Sequence, residues 1–207
     1  MSDISHILFD LGHVVLDWRP RKLYETLIED EAELDYFLEH ICNMAWHTRH
    51  DAGTSWEDNA APLIKQYPHY EMHIRAWGER WLDMFEGYVP GTPDLIEALE
   101  QEGHAIFALS NIPSDGFKPL LEPFPILKRF RDVVISGDEN CVKPDRKIYD
   151  IALSRMGNPD PGSVLFIDDR EQNIEAAEAL GIVGHHFSDA DGLRVRLEAL
   201  KLLPSAS

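Results

Sequence analysis

Apolar residues gather along the chain in four short runs, at residues 4–9, 105–109, 133–135 and 164–167, and each run stops at polar residues. Short apolar runs of this kind read as buried strands. Helical periodicity follows the second and fourth runs, and residues 144–156 set Ile148, Ile151, Ala152 and Met156 along one helical face. Strands alternating with such helices predict an α/β fold, a Rossmann-like parallel sheet covered by helices. Residues 18–88 differ, with Glu, Leu, Tyr and Trp at helical spacing and little that resembles a strand. They predict a helical insertion, broken at Ala52-Gly53-Thr54 and restarted at Ser55, a hydroxyl cap followed by Glu57 and Asp58 in the first turn. Thr92 as N-cap and Pro93 at the first helical position reopen the α/β pattern. The expected division is a core of residues 1–16 and 88–207 with an inserted helical domain at 17–87.

Charge narrows the partners. The 207 residues include 19 Lys+Arg and 37 Asp+Glu, a formal net charge of −18. Such an excess opposes non-specific binding to nucleic acid or anionic lipid, which depends on Lys and Arg neutralising phosphates. Any phosphate must therefore be held locally, so a small-molecule substrate is expected, with no nucleic acid and no membrane. Cys42 and Cys141 lie far apart without a CxxC pair, which argues against a disulfide framework or a zinc ribbon. Asp3 stands where a signal peptide would carry Lys or Arg, and Asp10, Gly12 and His13 interrupt the apolar stretch behind it. No run of about 18 apolar residues occurs. The expectation is a reduced cytoplasmic protein, monomer or homodimer.

In an open parallel sheet, ligands bind beyond the carboxyl ends of the strands. Asp10 follows the first run, Ser110 and Asn111 the second, Lys143 the third after a short excursion, and Asp168 with Asp169 the fourth. Three carboxylates on one rim repel, each pair at about 4 Å costing roughly 4 kcal/mol at an effective dielectric near 20. A divalent cation removes that penalty, and hard oxygen donors favour Mg²⁺. Asp10 could then attack phosphorus while the metal and Lys143 absorb charge and Ser110 and Asn111 donate hydrogen bonds.

The motifs ILFDLG, FALSN, VKP and VLFIDDREQN, in this order, resemble the haloacid dehalogenase superfamily of hydrolases. So does the flanking text, SGDENCVKPDRKIYDIAL and FIDDREQNIEAAEALGI. The resemblance implies that Asp10 is a nucleophile forming an aspartyl phosphate, that Asp169 is the principal metal ligand of the fourth motif with Asp168 beside it and Asn173 at the next family position, and that the Gly12 carbonyl is a further Mg²⁺ ligand. It implies phosphate-binding roles for Ser110, Asn111 and Lys143, and a helical cap at 17–87 over the site. Near the Gly53 turn, Trp46 and His47 could face the site and Arg49 could reach a phosphate; Trp77 and Trp81, spaced i, i+4, read as packing.

Phosphatases of this superfamily usually carry a second Asp two residues after the nucleophile, and here that position is Gly12. Protonating a leaving group typically contributes about 10² to 10⁴ in rate, so slow turnover of poor leaving groups is expected unless another acid acts. His13 is the candidate, since a free imidazole titrates at about pH 6.5, in the range this role needs. The DLG variant resembles the branch containing bacterial α-D-glucose-1-phosphate phosphatase, which implies a sugar phosphate substrate. Against these stand a 2-haloacid dehalogenase, whose chemistry needs no metal and lacks the acidic pair, and a catalytically impaired ligand-binding member. A phospho-accepting receiver module has the opposite chain order, with its acidic pair first and its lysine last.

Overall fold

Successive side chains of a strand point to opposite faces of its sheet, and that alternation accounts for the buried runs. In the computed structural model, which describes residues 3–205, the strands in chain order are β1 (His6–Phe9), β2 (Leu16–Trp18), β3 (Phe85–Tyr88), β4 (Ala105–Ser110), β5 (Val133–Ile135), β6 (Val164–Asp168) and β7 (Val183–His186). Five pair in parallel in the order β5-β4-β1-β6-β7, while β2 and β3 form a separate antiparallel pair. The helices are α1 (Pro20–Tyr24), α2 (Glu31–Tyr36), α3 (Met44–Asp51), α4 (Trp56–Gln66), α5 (Glu71–Glu79), α6 (Thr92–Gln101), α7 (Ser114–Phe117), α8 (Ser136–Glu139), α9 (Arg146–Arg155), α10 (Glu171–Glu178) and α11 (Ala190–Ala199).

Ile7, Phe9, Ile106, Ala108, Leu165 and Ile167 bury one face of the sheet with Leu95 and Leu99 of α6 and Leu193 and Leu197 of α11. Leu8, Phe107, Leu109 and Phe166 bury the other with Ile148 and Tyr149 of α9 and Ile174 and Ala177 of α10. Helices on both faces explain why the central strands bury apolar side chains on both sides. The chain runs outward from β1 through β4 to β5, then returns to the other side of β1 with β6 and β7. The order reverses between β1 and β6, so a ligand crevice opens there at the carboxyl ends.

Several local expectations are corrected. β7 reads VGHH, half-buried at the sheet edge, and so has no apolar run to announce it. Residues 18–88 do contain strand, because β2 and β3 bracket the helices α1 to α5. Gly91, at φ 82°, is the N-cap of α6 and Thr92 is its first helical residue, since the left-handed turn is made one position earlier. α9 begins at Arg146, where the Asp145 carboxylate accepts from Lys147 N, and not at Pro144. The Ser55 cap is present, its hydroxyl accepting from Asp58 N. No helix among the described residues is long and apolar enough to cross a membrane.

Candidate active site

Asp10, Ser110 and Asp168 stand where buried strands run out at the carboxyl edge, and the stretch after α8 carries Lys143 back to them. Asp10, immediately after β1, is 7% exposed. Its Oδ1 accepts from Leu11 N at 2.7 Å and from Ser110 Oγ at 2.9 Å, and lies 2.8 Å from Lys143 Nζ. Three donors thus hold one carboxylate oxygen, while Oδ2 has no partner among the described residues. Lys143 Nζ also donates to Asp168 Oδ2 at 2.7 Å and to the Leu109 carbonyl at 3.0 Å, so its three protons are all used. Burial works against the lysine's charge, but Asp10 and Asp168 outweigh it and hold the pKa above the usual range.

Asp168, fully buried at the end of β6, is saturated in turn. Asn173 Nδ2 donates to both of its oxygens at 2.9 and 3.1 Å, and Arg170 N donates to Oδ1 at 2.8 Å. The Asp169 side chain has no such partner among the described residues, while its carbonyl accepts from His186 Nε2. Oxygens of Asp10, Asp168 and Asp169 lie within 4.8 Å of one another. Burial pushes the Asp10 carboxyl up to about 7, opposed by Lys143 and reinforced by Asp168. Burial and then Asp168 raise Asp169 as well. Hard oxygen donors destabilised by desolvation and mutual repulsion are a donor set that fits a divalent cation. Gly12 lines the same cavity, and no backbone hydrogen bond of its turn ends on its carbonyl.

The Asn111 amide is committed to Lys143: Oδ1 accepts from Lys143 N at 2.8 Å and Nδ2 donates to the Lys143 carbonyl at 3.1 Å. Its side chain thus ties the end of β4 to the Lys143 segment, with one Nδ2 proton left over. Arg49 is exposed and does not line the cavity. The face of α3 that does is Met44, His47, Thr48 and Asp51, spaced i, i+3, i+4, i+7, and Arg49 falls off that stripe. Arg170 lines the cavity instead. His13 also lines it, on an exposed left-handed turn at φ 57°. Trp46 is buried away from the cavity, and Trp77 is packing as expected.

Sequence reasoning missed an aromatic wall. Trp18, Trp81, Phe85, Leu11, Leu16 and Ile112 line the cavity beside the polar edge. The His47 ring lies 5.0 Å from Trp18, 5.2 Å from Trp77 and 5.8 Å from Trp81, and burial drops its pKa to about 3. Asp51 completes this wall at 5% exposure, its Oδ1 3.4 Å from His47 Nε2. Burial pushes its carboxyl up to about 8, with Arg170 opposing and Asp10 adding.

Residues 4–181 fit the family model of haloacid dehalogenase-like hydrolases. The chain is 31% identical over 183 residues to a sesquiterpene phosphatase of Aspergillus oryzae, covering 88% of this chain and 89% of that one. A phosphoglycolate phosphatase of Salmonella paratyphi A is 36% identical over 111 residues, but that match spans 43% of its length. In structure, the chain resembles a HAD family enzyme of Bacteroides thetaiotaomicron in complex with magnesium and inorganic phosphate, with a TM-score of 0.70 at 19% identity over 90% of this chain and 95% of that one. With a family model matching most of its length and the motif residues gathered at one sheet edge, this chain belongs to the haloacid dehalogenase-like hydrolases.

Proposed function

We propose that the chain is a Mg²⁺-dependent phosphomonoesterase acting through an aspartyl phosphate on Asp10. The observation that carries this is the asymmetry of the Asp10 carboxylate, one oxygen fixed by Leu11 N, Ser110 Oγ and Lys143 Nζ and the other left for in-line attack. Asp10, Asp169 and the Gly12 carbonyl would hold Mg²⁺, with Asp168 beside them; the ion would offset the carboxylate repulsion and stabilise charge on the transferring phosphoryl group. Lys143, kept charged by Asp10 and Asp168, stabilises the same charge. Asn111 and Asp168 position the lysine, and Arg170 at the mouth attracts the phosphate. The acidic cluster favours phosphoryl transfer over dehalogenation, which needs no metal. Two buried free thiols, Cys42 and Cys141, agree with a cytoplasmic setting.

The resemblance to the α-D-glucose-1-phosphate phosphatase branch supports a sugar phosphate, with Trp18 and Trp81 as stacking surfaces. A second reading, an ester of a more apolar alcohol, is favoured by the cavity wall of Leu11, Leu16, Trp18, Trp81, Phe85 and Ile112. It also agrees with the similarity to a sesquiterpene phosphatase. Phosphate release from p-nitrophenyl phosphate, sugar phosphates and prenyl phosphates, with Mg²⁺ or chelator, tests both. The expected result is Mg²⁺-dependent release that Asp10→Asn reduces by about 10³-fold or more. Equal release by wild type and variant, or release indifferent to chelator, would contradict the proposal.

A further inference from the structure

Gly12 leaves the usual acid position without a carboxyl, so another group lining the cavity has to supply the proton. Attack by Asp10 expels the leaving group in line, away from the nucleophile, and Met44, His47, Thr48 and Asp51 of α3 line the same cavity. Three residues lining the cavity could carry the proton without already serving as nucleophile, metal ligand or phosphate clamp: His13, His47 and Asp51. His13 sits on the sheet side, three residues beyond the nucleophile. His47 is committed, because Trp77 Nε1 donates to its Nδ1 at 3.0 Å and fixes the ring proton on Nε2, which faces Asp51. Asp51 belongs to the wall itself. Its Oδ1 is sealed from solvent and makes only the long 3.4 Å approach to His47 Nε2.

We infer that Asp51 is the general acid and base of this enzyme, presented by α3 in place of the missing carboxyl at position 12. The inference rests on the phosphatase reading above. In the first step Asp10 Oδ2 forms a bond to phosphorus as the phosphorus–oxygen bond of the ester breaks. Its electron pair passes to the leaving oxygen, which takes the proton of Asp51, giving the alcohol, an aspartyl phosphate and an Asp51 carboxylate. In the second, water attacks phosphorus and gives a proton to Asp51 as the bond to Asp10 breaks, releasing phosphate and restoring both carboxyl groups.

The position of Asp51 is fixed by the turn that follows it. Gly53, at φ 98°, seats against α8 so closely that a Cβ there would lie 2.3 Å from Asn140 Oδ1 and 3.0 Å from the Gly137 carbonyl. The protonation state agrees with the role: burial holds the carboxyl neutral up to about pH 8. The charged and titratable groups around it are His47 and His50 on α3, Asp10 beyond β1, Lys143, and Arg170 beyond β6.

The test compares wild type with Asp51→Asn on p-nitrophenyl phosphate, whose leaving group needs no proton at neutral pH, and on an alkyl phosphate, whose leaving group does. Expected is a loss in kcat of about 10² to 10⁴ on the alkyl ester and a far smaller one on the nitrophenyl ester. The wild-type rate on the alkyl ester should fall as pH rises through about 8, a limb absent in the variant. Adding Gly12→Asp should restore alkyl ester hydrolysis to Asp51→Asn, since nothing lies within 4 Å of a Cβ at Gly12. Thermal unfolding reports folding. Asp51 binds its proton in the folded state and loses it in the unfolded state between about pH 4 and 8, so wild-type stability declines across that window and the variant's declines less. Equal losses on both esters, no loss on either, or the same split in His13→Ala would overturn the inference while leaving the phosphatase reading intact. No release by wild type from either ester would overturn both.

Discussion

The two sides of the cavity handle charge in opposite ways. At the sheet edge, the buried Lys143 ammonium sits 2.8 Å from Asp10 and 2.7 Å from Asp168 and is held charged by them, although burial pushes Asp10 itself up to about 7. On the helical wall, burial without such partners suppresses charge, leaving His47 and Asp51 neutral near pH 7. The difference separates two tasks. A transferring phosphoryl group needs fixed positive charge and donors on one side, whereas a leaving alkoxide needs a neutral acid with a transferable proton on the other.

Substitutions that exchange these regimes sharpen the contrast. The largest structural effect belongs to Asp168→Ala, which leaves the Lys143 ammonium buried beside an unfilled site. Breaking a buried pair in this way costs about 3–5 kcal/mol, to be read by denaturant unfolding, and phosphate release should be lost with it. On the wall, Gly53→Ala forces a Cβ into Asn140 at a left-handed φ and should cost about 1–3 kcal/mol. If Asp51 acts as inferred, this displacement of α3 also slows alkyl esters more than nitrophenyl esters. Arg49→Ala, on the exposed face of α3, should change stability by less than about 0.5 kcal/mol and leave KM unmoved. A clear rise in KM there would mean that the helix presents a different face to substrate than His47 and Asp51 indicate.

The same division governs what could be read from the sequence. Asp10, Ser110 and Asp168 were legible because each closes a buried apolar run, and a parallel sheet gathers such run-ends at one edge. Lys143 needed the family motif, since only the fold carries it back from α8. β7 was hidden because an edge strand with one glycine and two histidines has no apolar signature. The wall was harder still. Its residues come from β2, α3, the turn before β3 and β3 itself, with Leu11 and Ile112 from beyond β1 and β4, and Gly53 seats α3 on α8 beside them. The i, i+3, i+4, i+7 stripe of Met44, His47, Thr48 and Asp51 was present in the sequence, but nothing there said which face of α3 turned inward. Arg49 lies off that stripe, and Asp51, which is on it, carried no signal of its own.

The central claim is covalent phosphoryl transfer to Asp10, and rapid acid quench with substrate labelled in its phosphate tests it most directly. The account predicts label bound to protein during turnover, labile to hydroxylamine as an acyl phosphate, confined to the peptide containing Asp10 and absent from Asp10→Asn. Label on His13 or Ser110, or turnover with no protein-bound label at any quench time, would contradict it.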